Sequence, residues 1–132
     1  MSTVKITACD NQLILVATTW EKSYLVANIQ SGNGNSVDVT LNLDYAKQFS
    51  GTVNLDGVNQ PLSGTYSVTI PEEKVNLSMI GINWGGAADL AVNLDGKDYK
   101  YSKNPTPAMI IPLGDPYVDD NTGMQSMMVS LK

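Results

Sequence analysis

The densest chemistry in the chain lies in the segment GDPYVDDNTG, Gly114 to Gly123. Asp115, Asp119, Asp120 and the amide oxygen of Asn121 put four hard oxygen donors into one short stretch bounded by glycines. Calcium takes roughly six to eight such oxygens, and crowded carboxylates repel one another unless a cation or water screens them. The segment is therefore read as a candidate Ca²⁺ site. It lacks the alternating Asp-x-Asp order and the closing Glu of a helix-loop-helix calcium loop. The alternative is a solvated acidic turn, in which Asp and Asn serve because their side chains bond to nearby backbone amides.

A second constellation is Asn83-Trp84-Gly85-Gly86, followed by Asp89. A sugar-binding surface needs a flat aromatic face for the C–H side of the ring and polar groups beside it for the hydroxyls. Asn83, Trp84 and Asp89 supply that combination, and Tyr99 and Tyr101, alternating with Lys100, would widen the platform. Trp84 has an equally physical alternative as an indole plugging the core, with Gly85-Gly86 as a turn needing positive φ. Trp20 follows a continuous apolar stretch and is expected in the core.

Composition removes most catalytic classes. Among 132 residues there is no His and no Arg; all eight cations are Lys, against thirteen Asp and Glu, for a net charge of −5. That excludes Ser-His-Asp and Cys-His nucleophiles, imidazole metal ligands and bidentate guanidinium clamps. Two carboxylates alone can hydrolyse a glycoside, but there are only three Glu, and Glu72-Glu73 sit side by side just beyond Pro71. SGNGNS (31–36) has two glycines of a dinucleotide fingerprint and lacks the third, and no GK[ST] occurs. The chain is expected not to be an enzyme. An acidic chain with scattered Lys also lacks the basic stripe that nucleic acid requires, so no nucleic-acid partner is expected.

Cys9 stands alone and is expected to be a small buried hydrophobe on the first strand. The longest apolar run, Leu13 to Ala17, is far shorter than the roughly 20 residues of a membrane helix. The opening MSTVKITACDNQ is not patterned as a signal peptide. A cytoplasmic location, a leader already removed, or release by a leaderless route such as lysis are the expectations that remain.

The elements that must position these groups are strands. Val4, Ile6 and Ala8 alternate with Thr3, Lys5 and Thr7, and Val37, Val39, Leu41 and Leu43 alternate with Asp38, Thr40, Asn42 and Asp44, the period of a strand with one face inward. Further runs are Gln12 to Trp20, Ser23 to Gln30, the alternating Phe49, Gly51, Val53 and Leu55, then Tyr66 to Ile70, Val75 to Trp84 and Leu90 to Leu94. Met109 to Ile111 are expected to pair briefly at an edge. Turns are expected at Asn33-Gly34, Asp56-Gly57 and Asp95-Gly96. The pentapeptide VNLDG occurs at both of the latter two; it reads as a strand end entering a tight turn, or else as a duplicated ligand site. Asp44 to Gln48 allows one helical turn. The expected fold is an all-β, single-domain antiparallel β-sandwich over residues 1–132, Greek-key or jelly-roll-like, with about eight to ten strands. Leu13 to Ala17 and Met79 to Ile82 are apolar on both faces. Of the adjacent Met127 and Met128, one must be exposed unless something covers it, which points to association or membrane contact.

In size, acidity and strand content the chain is similar to small β-sandwich lectins and to the compact membrane-binding sandwiches of aegerolysin type, a likeness of architecture that transfers no residue. The leading expectation is a non-enzymatic recognition module binding carbohydrate through loop-borne Trp, Tyr, Asn and Asp. The alternative is a membrane-active or self-assembling protein, such as a toxin component or an inclusion-forming subunit. A lipid surface and a homo-oligomer are the partners that alternative implies.

Overall fold

The computed structural model describes residues 1–31, 36–57, 61–84, 88–103 and 108–132. Twelve strands form two packed sheets: β1 (Ser2–Asp10), β2 (Gln12–Thr18), β3 (Ser23–Gln30), β4 (Asp38–Tyr45), β5 (Val53–Asp56), β6 (Ser63–Ile70), β7 (Lys74–Ile82), β8 (Ala88–Leu94), β9 (Lys97–Lys103), β10 (Ala108–Leu113), β11 (Asp115–Val118) and β12 (Gln125–Ser130). The smaller sheet runs β6-β4-β1-β8-β9, and the larger runs β11-β12-β7-β2-β3-β5 with β10 also paired to β7. The sandwich expected from the alternation is therefore the fold, with twelve strands among the described residues in place of eight to ten. Among the described residues no helix is long and apolar enough to cross a membrane.

Alternation builds the core. Val4, Ile6, Leu41, Leu43, Val68, Ile70 and Val92 from the smaller sheet meet Leu13, Leu15, Ile29, Leu77 and Met79 from the larger, all buried. A bulge in β1 between Ile6 and Ala8 shifts its register against β8. The shift turns Cys9 inward, where it is buried as expected. Burial, and then the nearby charge of Asp10, push its thiol up to about 12 against opposing hydrogen bonds from Ser31. At neutral pH Cys9 is a protonated, apolar side chain whose Sγ donates to the Ile29 carbonyl.

The sheets are mixed, a departure from the purely antiparallel arrangement. β3 and β5 pair in parallel, with Ala27 beside Val53, as do β4 and β6, with Asp38 beside Ser63. Between β3 and β6 the chain passes from the larger sheet to the smaller, back, and across again, so that each strand lies beside the one two places earlier. This coil explains why the two VNLDG copies behave differently. Asp95-Gly96 closes the β8–β9 hairpin, with φ of 49° and 92°, the positive angles of a type I′ turn. Asp56-Gly57 makes no hairpin; Gly57 bonds back to the Gln30 carbonyl and the chain then crosses to the other sheet. Asn33-Gly34 lies outside the described residues. Asp44 and Tyr45 complete β4, and no helical turn forms through Gln48. Instead Gln48 and Ser50 bond to Thr69, laying this loop along the end of β6.

A chain crossing shapes the far side of the larger sheet. β12 pairs with β7 at Val129–Val75 and Ser130–Lys74, while β10 takes the same edge of β7 from Leu77 to Ile82. The two cannot share it, so β12 lifts off toward the outer face. There the outward Asn76 amide donates to the Met127 carbonyl at 2.7 Å. Gly114, between β10 and β11, passes beneath β12 with φ of 113°. A Cβ at Gly114 would come within 2.5 Å of the Met128 carbonyl oxygen, so both the angle and the space require glycine.

Candidate functional site

The lifted β11–β12 ribbon and the outer face of the larger sheet enclose a cleft of about 410 Å³. One wall comes from Thr18, Lys74 and Asn76 on β2 and β7. The other comes from Asp119, Met124, Gln125, Ser126 and Met128, and Trp20 stands at its mouth. Trp20 also borders a second cleft of about 380 Å³, lined by Glu21, Lys22, Tyr24, Pro71 and Glu72. Its indole is 79% exposed. The expectation that Trp20 belongs to the core is corrected: β2 stops at Thr18, and the apolar run carries Trp20 past the strand end onto the tip of the β2–β3 hairpin. The tip is held rather than loose. Thr19 N–H donates to the Lys22 carbonyl at 2.8 Å, and the Thr19 hydroxyl accepts from the amides of Glu21 and Lys22.

The acidic segment supplies the opposite wall. Asp119 Oδ1 accepts from the backbone amides of Asn121 at 2.7 Å and Thr122 at 3.2 Å. Asp119 N–H and carbonyl bond to Met124 and Gly123. These are the bonds of a side chain shaping its own turn. Asp115 lies at the other end of β11, roughly 13 Å away along the strand. There it borders a separate cleft with Lys97, Asp95 and Gly114. Asp115, Asp119, Asp120 and Asn121 do not share one centre, and among the described residues no three acidic, His or Cys side chains are grouped to hold a metal.

Charge near Trp20 is tied into the fold. Lys74 Nζ lies 5.4 Å from the Tyr117 ring centroid, a cation–π contact. Tyr24 donates to the Glu72 carboxylate at 3.2 Å. Desolvation first, then the Glu72 hydrogen bond and charge, raise the Tyr24 hydroxyl above its ordinary range.

The other sequence-derived constellation disperses. Trp84 is 59% exposed, so it is not a core plug. Its amide is anchored by Asn11 Oδ1 at 2.7 Å, at the opposite end of β7 from Trp20. Gly85-Gly86 lie outside the described residues. Asp89 is exposed on the outer face of the smaller sheet, beside Asp10 of β1. Tyr99 and Tyr101 do not extend a platform. They oppose the buried Val92 and Leu90 and face the core. Tyr99 is only 8% exposed, and its hydroxyl accepts from the Gly114 amide at 3.1 Å. Asn83 remains beside Trp84, while Asp89, Tyr99 and Tyr101 belong to the smaller sheet.

Comparisons with protein-family models, curated proteins and solved structures find no match to the chain.

Proposed function

We propose that this chain is a non-enzymatic carbohydrate-recognition module whose primary site is the Trp20 cleft. The observation that supports it is a bare indole, fixed on a bonded hairpin tip, beside a concave surface carrying amide, hydroxyl and carboxylate groups. An indole face takes the C–H side of a sugar ring, while Asn76, Gln125, Ser126 and Thr18 offer neutral donors and acceptors to the hydroxyls. A volume of about 410 Å³ lies in the range of roughly 300–1,000 Å³ usual for small-molecule sites. Met124 and Met128 add a pliable apolar floor. The site would bind without transforming, since no histidine exists to move protons near neutrality.

A glycan array, followed by titration of any hit against intrinsic fluorescence, tests the reading. Trp20→Ala is expected to abolish binding while leaving the thermal melt nearly unchanged. Trp84→Ala is expected to retain it. A blank array, or a hit that survives loss of Trp20, removes the proposal.

A further inference from the structure

The outer face of the larger sheet is built unlike a face meant for water. Its outward row across four strands reads Ile110–Ile80–Ile14–Asn28. The adjacent rows add Ile82 on one side, and Val16 and Leu25 on the other. Ile110 is 71% exposed and Leu25 42%. A solvated sheet face normally alternates apolar-in with polar-out; here β2 and β7 carry apolar side chains on both sides. The polar members of the patch are neutral, and Gln12 donates its amide to Asn28 Oδ1 at 2.8 Å. Their covering therefore strands fewer unpaired groups. The charges that flank the patch, Lys74 and Asp56, stand at its edges.

We infer that this face is a self-association surface on which a second copy of the chain packs sheet against sheet. Charge selects the occupant. An anionic bilayer is bound through clustered Lys or Arg, and this face carries none on its central rows, in a protein of net charge −5. A flat, uncharged surface is complementary to itself. Two acidic copies can meet there because the outward Asp38, Asp44, Asp89 and Asp98 belong to the opposite sheet. Area agrees. Five strands at about 4.8 Å and five residues at about 3.4 Å make a platform roughly 24 by 17 Å. Two copies then cover about 800 Å² measured flat, and more once side chains interlock, near the roughly 1,000 Å² at which specific interfaces begin. An apolar centre with a neutral, then charged, rim is the anatomy of such interfaces. The β11–β12 ribbon stands over one end of the face, so the copies fit with their strands antiparallel about a two-fold axis, the same patch used by both. That arrangement sends their Trp20 clefts to opposite ends.

Sedimentation velocity over micromolar to high-micromolar concentrations reads the outcome. The wild-type chain is expected to sediment as a dimer. Ile110→Glu, at an exposed edge position, is expected to weaken dimerisation by at least about tenfold with an unchanged circular-dichroism melt. Leu25→Glu is the second variant and is expected to do the same. Thr40→Glu, on the outer face of the smaller sheet, is expected to leave the dimer intact. A wild-type monomer at every concentration overturns the inference, including one that floats with phosphatidylcholine vesicles. A dimer that survives both the Ile110 and Leu25 substitutions overturns it equally.

Discussion

The two sheets share one core but turn opposite surfaces outward. The smaller presents Thr3, Lys5 and Thr7 from β1, Asp38, Thr40, Asn42 and Asp44 from β4, and Asp98 and Lys100 from β9. The larger presents Ile14, Val16, Ile80, Ile82 and Ile110. Both have buried inward rows, so the difference is not needed to make the sandwich. Edge design follows the same division. β9 ends the smaller sheet with Lys97 and Lys100, charges that discourage strand addition. β10, on the edge of the larger, is the uncharged AMIIPL, with Pro112 as its one obstacle. Folding explains the inside of both sheets and leaves the apolar outside of the larger one unexplained.

If the core is common, inward truncations should cost alike on the two sides. Leu15→Ala in the larger sheet and Leu41→Ala in the smaller are each expected to destabilise by about 2–5 kcal/mol, measured by urea unfolding. A large asymmetry between them would break the picture of one shared core. Gly114→Ala should come next, at about 1–3 kcal/mol for a non-glycine residue at such an angle. Because Gly114 sets the crossing that lifts β12 over the larger sheet, its change should also reduce any ligand affinity at Trp20. Outer-face substitutions sharpen the contrast at lower cost. Thr40→Glu should alter stability by no more than about 0.5 kcal/mol, and should keep the wild-type dependence of stability on protein concentration.

The smallest effect belongs to the seam between the sheets. Leu131 N–H donates to the Glu73 carbonyl, and the Leu131 carbonyl accepts from Tyr45 N–H and the Met1 amine. Beside it Lys132 Nζ lies 2.9 Å from Glu73 Oε1. The hydrogen bond from Lys132, then its charge, hold Glu73 below its ordinary 4.5. The same contact, hydrogen bond first, holds Lys132 above 10.5. The Glu73 contribution is therefore present above pH 4.5 and lost as pH falls through the lowered value. That of Lys132 is present below pH 10.5 and lost as pH rises through the raised one. Both groups are exposed, so the gain is slight. The melting difference between wild type and Glu73→Gln is expected to be small at neutrality and to vanish on acidification.

Much of the fold was legible in the residues. The unbroken alternation from Val37 to Leu43 became β4 with Val39, Leu41 and Leu43 inward, and Asp95-Gly96 became a hairpin turn. Parallel pairing was not legible, because a period of two is the same whichever way the neighbouring strand runs. Nor did VNLDG reveal which copy would turn back and which would cross, since that depends on the sheet awaiting the next strand. The site was harder. Trp20 looked like core because it follows a nearly continuous apolar run; the one mark of where pairing stops was the polar Thr18-Thr19 pair just before it. Tyr99 looked accessible from its alternation with Lys100, but alternation does not say which side faces in, and the buried Val92 opposite decided it. The acidic segment reads as one glycine-bounded loop, but its first half is the strand β11, which separates Asp115 from Asp119, so proximity in sequence did not become convergence.

The first strand of the chain ends up at the middle of the smaller sheet, with Val4 flanked by Leu41 on one side and Leu94 on the other. A ribosome making this protein therefore releases β1 long before its second neighbour exists. Val4 and Ile6 must wait with one backbone edge open until β8 emerges. Such distant pairings place assembly on the slow side, roughly milliseconds to seconds, and leave the unpaired strand exposed to aggregation meanwhile.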